Sequence, residues 1–244
     1  MLLDKDAILQ DKIPPRPPLY PLDSLSGSLA QKVYASLKQA ILSLVFRPGE
    51  LMQKSEICKE LGVSRSPVTE AMTRLATEGL VDIVPQAGTY VTRFSMAEIR
   101  EAAFLREALE LAAVETVATS ITEEQLVLLR RNLRIQEALV EDEDIAGFYE
   151  MDAQMHELIL SFTGYRRLGV LAETSWVHVN RARRLNLPTP GRIQATLTEH
   201  KMIVAALEAR DPQAARQATQ HHLRQLIKFL EPLVHERPEL FANR

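Results

Sequence analysis

Large rings are scarce in this chain: phenylalanine, tyrosine and tryptophan make up 5% of its 244 residues. Leu, Ala, Glu, Gln and Arg dominate the second half instead, and that profile favours helices. There is one cysteine, Cys58, so no intrachain disulfide can form. It falls on the inner side of a predicted helix, as a small core residue. No apolar run approaches the length of a membrane span, and no charged-then-apolar leader opens the sequence. The expectation is a soluble, cytoplasmic protein with no membrane partner. A strong charge of one sign is also missing, the net charge being −3. What is present is 46% hydrophobic residues, enough for a sizeable core, over a length that suggests two domains.

The charge is unevenly spread. Residues 28–93 hold eight basic and six acidic side chains, a balance of +2, which leaves −5 for the rest. That is the sign expected of a DNA reader joined to a neutral or acidic partner domain. Residues 1–27 carry Pro14, Pro15, Pro17, Pro18 and Pro21 and read as a flexible, extended tail.

From Ser28 the pattern becomes periodic. Leu29, Val33, Leu37, Ile41 and Leu44 share one side of a helix to Leu44. Gln53 to Leu61 is a short helix that Gly62 ends in a left-handed conformation. Ser64 or Ser66 caps the next, with Pro67 in its first turn. That helix places Val68, Met72 and Leu75 on one side, and Gly79 closes it. Leu80 to Val84, the turn Pro85-Gln86-Ala87-Gly88 and the alternating Thr89 to Thr92 form a hairpin. Helix, tight turn, helix, hairpin is the grammar of a winged helix-turn-helix.

The second helix of that pair begins with short, polar or basic residues, as a helix entering the major groove requires. Arg65 is the candidate base or phosphate reader, with Ser66 and Thr69 beside it. Arg74, about two turns on, suits a phosphate. Gly88 at the hairpin tip would let backbone approach the DNA.

Beyond Arg93 every element reads as helix. Ser95-Met96-Ala97-Glu98 and Thr122-Glu123-Glu124-Gln125 are capping boxes opening helices to Ser120 and about Val140. A charged loop leads into a helix through Phe162, which Gly164 ends. Tyr165 to about Leu187 is read as one further helix, and Arg192 to Arg210 as the next. Asp211-Pro212 starts a last helix to about His235. The whole chain is mainly α: a winged helix-turn-helix over 28–93 and an all-α antiparallel bundle over 94–244.

Within the bundle, Asp152 and His156 stand one turn apart on one face. His200 lies mid-helix in the next-to-last element, and His221 and His222 in the last. Three histidines and an aspartate from three helices would hold a divalent first-row ion. Zinc comes first, with nickel, manganese, cobalt and iron in the same chemistry. The plainer reading makes them polar surface residues, and periodicity does not choose between His221 and His222. Arg106, one turn from Glu110, is either half of a surface ion pair or an anion partner for an effector. Arg181, Arg183 and Arg184 form a basic cluster, any one of which is a candidate to share that role. Trp176 and His178 read as packing or surface.

Two series of motifs carry a resemblance. Pro48-Gly49-Glu50-Leu51, Leu61-Gly62-Val63-Ser64-Arg65-Ser66-Pro67-Val68, Glu78-Gly79-Leu80-Val81 and Gly88-Thr89-Tyr90-Val91 resemble the DNA-binding domain of GntR-family regulators. Arg106-Glu107-Ala108-Leu109-Glu110, the Asp152/His156 pair, Glu199-His200 and His222-Leu223 resemble the FCD effector domain of the FadR subfamily. The chain departs from the family at Thr69, where relatives usually carry arginine, and at Tyr165, where they often carry asparagine. The resemblance implies that Asp152, His156, His200 and His222, rather than His221, are the metal ligands. It also implies a homodimer on a palindromic operator in double-stranded DNA, with a small carboxylate bound at the metal and Arg106. The expected function is thus an effector-controlled transcriptional regulator, commonly a repressor. A metal-dependent hydrolase and a regulator with a metal-free polar pocket are the other readings.

Overall fold

The computed structural model describes residues 16–242, without the side chains of residues 173–175. The chain divides into two compact units at Thr92/Arg93.

In the first unit α1 spans Leu29–Leu42, α2 Lys54–Leu61 and α3 Arg65–Thr77. Ser28 caps α1 through a full capping box with Gln31. Val33, Leu37 and Ile41 of α1 meet Val68, Met72 and Leu75 of α3 in the core, all essentially without exposure. Leu29, expected in that stripe, is half exposed. Gly62 ends α2 at φ +65°, the left-handed turn its position called for. Strand β1, Val81–Val84, pairs antiparallel with β2, Gly88–Val91. The segment before α2 joins their edge: Gly49 and Met52 donate to the carbonyls of Val91 and Thr89, and Val91 donates to that of Glu50.

The segment expected to be a tail is described from Arg16 on. Its first fifteen residues lie outside the described residues. From Arg16 on the segment is packed: Leu19 is buried, and its N–H donates to Glu60 at 2.6 Å. Arg16 also pairs with Glu60 and covers the Phe46 ring, its guanidinium 4.4 Å from the centroid. Ser36 donates to the Tyr20 carbonyl. Prolines fix an extended path, but an extended path can still lie along an apolar groove.

The second unit holds α4 (Met96–Ser120), α5 (Glu123–Glu141), α6 (Ile145–Phe162), α7 (Arg166–Ser175), α8 (Val177–Asn186), α9 (Arg192–Glu208) and α10 (Pro212–Glu236). Thr122 and Gln125 complete a capping box, and Asp211 caps α10 ahead of Pro212. Helix α4 packs against α10, α6 and α8, and α9 sits between α5 and α10. Val114, Val117, Leu129, Met155, Ile159 and Leu207 belong to one continuous core. The ends of the unit are tied together, because Phe94 donates to the Leu240 carbonyl and accepts from Ala242.

One expected helix is two. Trp176 leaves helical geometry at φ −98°, ψ 6° and separates α7 from α8. Its ring is buried, together with Val177 and Val179 just beyond it. Residues 166–171, by contrast, bury none of their side chains fully. The chain bends there because the two halves serve different surfaces, which periodicity within either half does not reveal.

If the segment from Arg16 is structural, Leu19→Ala should destabilise the first unit by about 2–3 kcal/mol. Urea unfolding of the full chain measures this, and an unchanged midpoint would show that the segment contributes nothing to the fold.

Candidate functional site

The first unit presents an exposed, polar surface at the start of α3. Arg65 and Ser66 occupy its first two helical positions, and Thr69 stands one turn on; all three are exposed. Ser64 precedes the helix but makes no side-chain capping bond. The opening amides therefore keep their capacity for an outside acceptor such as phosphate. Arg74 has an internal commitment: its guanidinium lies 3.8 Å from the centroid of Tyr34 and its Nε 3.6 Å from Glu78. Tyr34 and Lys38 also hold Glu78, at 2.5 and 2.8 Å. Gly88 is the first residue of β2 and pairs with Val84, while residues 85–87 make the tip. Its φ of +137° and the Leu51 side chain, 2.6 Å from where a Cβ would stand, give it a structural reason to be glycine.

In the second unit Asp152, His156, His200 and His222 converge. All four are buried, and one donor atom from each lies within 4.8 Å of the others. His222 is the inward member of its pair, since His221 is exposed. Helix α6 supplies Asp152 and His156 one turn apart, α9 supplies His200 and α10 supplies His222.

What surrounds these rings fixes their chemistry. His156 Nδ1 is 2.6 Å from Glu110 Oε2, and His222 Nδ1 is 2.8 Å from Glu199 Oε2. A carboxylate only accepts, so in each ring Nδ1 carries the proton and Nε2 keeps its lone pair. His200 is oriented through a longer chain. Asn132 Nδ2 donates to the Met151 carbonyl, which leaves Asn132 Oδ1 to accept from Gln136 Nε2. Gln136 Oε1 then faces His200 Nδ1 at 2.7 Å, so His200 Nε2 is also a lone pair. Burial pushes all three imidazoles below their ordinary pKa, His200 and His222 well below it, and keeps them neutral.

The three Nε2 atoms point at one place. Those of His156 and His222 are 3.2 Å apart. With both protons held at Nδ1, these facing lone pairs repel unless a cation lies between them. His200 Nε2 is buried without a hydrogen-bond partner, although Asp152 Oδ1 is 3.0 Å away. The donor set therefore fits a divalent ion: three neutral imidazoles and one carboxylate oxygen, each histidine held from behind. Such an ion would supply a Lewis-acidic centre for an anionic ligand.

Behind the ligands stand arginines. Arg106 is buried, not on the surface, and gives Nε to Glu110 Oε1 at 2.6 Å. Its Nη2 is buried without a hydrogen-bond partner, and Trp176 packs near it, 5.1 Å from ring centroid to guanidinium. Arg192 grips Glu199 with two bonds of 2.7 and 2.9 Å. Burial acts to raise both carboxyls. The charge of Arg106, with hydrogen bonds from His156 and Arg106, holds Glu110 far below the usual carboxylate range. Hydrogen bonds from His222 and Arg192 bring Glu199 down to about 2. Arg183 pairs with Asp152 Oδ2 and reaches Asn180 Oδ1 at 3.3 Å. Burial, then the like charge of Arg106, lowers it to about 10, still charged at neutral pH.

A cavity of about 30 Å³ opens beside this cluster, bordered by Arg106, Asp152, Arg183, Arg192, Thr196 and His222 among others. Of the basic cluster on α8, Arg183 faces this cavity. Arg184 pairs with Glu150, and Arg181 is buried against the Phe94 ring. Trp176 is buried, and His178 is half-buried. Sequence reasoning did not give site roles to Glu110, Asn132, Gln136, Arg192 and Glu199. The available signal was in α5, where Asn132 and Gln136 continue the inward stripe begun by Leu126 and Leu129. Polar residues on an apolar stripe mark a buried network.

Comparison with known proteins gives the family. Residues 29–91 match the model described as bacterial regulatory proteins, gntR family, and residues 101–225 match the FCD domain. The HTH-type transcriptional repressor RspR of Escherichia coli (strain K12) is 31% identical over 213 residues, 87% of this chain and 93% of that protein. An uncharacterized HTH-type transcriptional regulator in an unstable DNA locus of Streptomyces ambofaciens is 32% identical over 211 residues, 86% of this chain and 89% of that one. A putative transcriptional regulator GntR from Rhodococcus sp. RHA1 shares the fold at a TM-score of 0.73 and 25% identity, covering 84% of this chain and 99% of its own. E. coli McbR/YncC has the same TM-score at 22% identity, over 85% and 99%. These relatives are regulators rather than enzymes, and among the described residues no helix is long and apolar enough to cross a membrane. The chain belongs to the gntR family and is a DNA-binding transcriptional regulator in which a winged helix-turn-helix precedes an FCD domain.

Proposed function

We propose that this regulator is a repressor whose operator affinity is set by a small carboxylate bound at a divalent metal ion, zinc first. The ion would be held by Asp152, His156, His200 and His222. The observation that carries this reading is the convergence of three imidazole Nε2 lone pairs, each fixed by a buried acceptor at Nδ1. Arg106, with its unsatisfied Nη2, is the anion partner on the cavity wall. The name of the relative RspR supports the sign, a repressor.

The regulatory logic follows from cavity size. About 30 Å³ is room for roughly two water molecules. A larger acid has to open the cavity, so it binds the open arrangement better than the closed one. That difference in affinity is what lets a ligand shift an equilibrium. A homodimer would convert the shift into a change of spacing between two α3 helices on a palindromic operator. Phe104 and Leu105 on α4, 72% and 42% exposed, support an interface between copies on that face. Arg65, Ser66 and Thr69 would read bases and phosphates; Arg74 and Gly88 would lie against the backbone.

Three outcomes test this reading. Protein purified without added ions should retain stoichiometric metal by elemental analysis. His222→Ala and Asp152→Ala should lose it, and His221→Ala should not; full metal in His222→Ala would remove that residue from the ligand set, and wild type without metal would point to a metal-free polar pocket. Arg65→Ala should weaken operator binding about tenfold or more, with a shallower salt dependence if the contact is to phosphate. Equal binding by mutant and wild type across several salt concentrations would remove Arg65 from the interface. Phe104→Glu should give a monomer by light scattering and weaken operator binding with it, whereas an unchanged dimer would place the interface elsewhere.

A further inference from the structure

The outward face of α3 carries an acid. At about 100° per residue, the buried side chains Val68, Ala71, Met72 and Leu75 mark one side of the helix, and Ser66, Glu70, Thr73 and Thr77 fall within about 30° of the opposite direction. All four are exposed. Arg65 and Arg74, the two basic residues of the helix, flank that face. Its single charged residue is thus Glu70, and a negative charge there opposes binding to a polyanion unless something on the DNA satisfies it. Glu70 also lacks the partner that its spacing offers. Arg74 is four residues on, in the order that favours a helical ion pair. Arg74 instead lies over the Tyr34 ring, 3.8 Å from guanidinium carbon to centroid, with its Nε 3.6 Å from Glu78. Glu78 is held in turn by the Tyr34 hydroxyl at 2.5 Å and by Lys38 Nζ at 2.8 Å. Glu70 is left with no ion pair or hydrogen bond among the described residues.

We propose that Glu70 is a specificity-determining residue, accepting a hydrogen bond from the N4 amino group of a cytosine in the major groove of the operator. A carboxylate can only accept. In that groove guanine presents two acceptors and thymine an acceptor with a methyl group, so neither can satisfy it. The amino groups of adenine and cytosine are the donors, and adenine's stands beside the N7 acceptor, which repels a second oxygen. Cytosine is the base without that conflict. On DNA of another sequence the same carboxylate meets phosphates and acceptors alone, so it weakens wrong complexes more than the right one. Tyr34, Lys38 and Glu78 act as positioning residues: by holding Arg74 they keep Glu70 open to the base. This inference rests on the reading of α3 as the helix that meets the bases, and it takes nothing from the metal.

The test is selection of duplexes from a randomised DNA pool by the full chain, as wild type, Arg65→Ala, Glu70→Ala and Glu70→Gln, followed by titration with a duplex of unrelated sequence. Wild type should enrich a C·G pair at a position where Glu70→Ala enriches none, with the other positions unchanged. Discrimination at that position should fall about tenfold in Glu70→Ala, and binding to the unrelated duplex should tighten. Glu70→Gln should enrich adenine there, because an amide takes N6 and N7 together. Glu78→Gln, which loosens Arg74, should weaken preference at the same position alone, and Arg74→Met in that background should restore it. A residue needed only to stabilise the helix would weaken every position equally, so a uniform loss overturns the proposal. So do base preferences in Glu70→Ala that match wild type while those of Arg65→Ala change. Preferences unchanged in both variants sink the reading of α3 as well. Glu70→Gln, close in shape to the native residue, keeps the comparison open if the alanine variant does not fold.

Discussion

A carboxylate buried in a helical bundle is tolerable only when several donors surround it, and the second unit is arranged around two such groups. Glu110 lies between Arg106 and His156, and Glu199 between Arg192 and His222. Each pairing satisfies a charge that would otherwise be expensive to bury. Each also decides which nitrogen of a histidine carries its proton. The direction in which the site presents its lone pairs is thus set one layer away from the site. Helix α4 matters for that reason: it contributes no candidate ligand, yet its Arg106 and Glu110 fix both the ring and the cavity wall.

The elements with strong local signals were legible in the sequence. The capping box at Thr122, the left-handed Gly62 and the Asp211-Pro212 start are all where their chemistry puts them, and of the box expected at Ser95 the half in which the serine accepts from the Glu98 N–H is formed. So is the Asp152/His156 pair, because four-residue spacing on a helix is a geometric certainty. The choice of His222 over His221 needed the resemblance, since two adjacent residues both flank an amphipathic stripe. Three features were not readable. The break at Trp176 depends on what each half of the segment packs against. The burial of the Arg106/Glu110 pair depends on α6, α8 and α10 closing over α4. The seating of Leu19 depends on a groove between elements that a proline-rich composition says nothing about.

The first unit divides its helix α3 between two tasks. Val68, Met72 and Leu75 anchor it to α1, while Arg65, Ser66 and Thr69 stay in solvent. Further along, Tyr34, Lys38 and Glu78 surround Arg74 and tie the far end of α3 to α1. A helix fixed at its far end and free at its start is a rigid probe. Gly88 plays a related part, because the close approach of Leu51 holds the edge segment against the hairpin.

The solitary Cys58 returns in another light when set beside the convergence of α6, α9 and α10. This chain has no means of making an intrachain disulfide. An ion gripped by positions so far apart in sequence would act as its one internal cross-link, closing long loops that a reducing environment could not reopen. A sensor fastened in this way would be sturdiest when loaded, and scarcity of metal would register first as a shorter life for the folded protein.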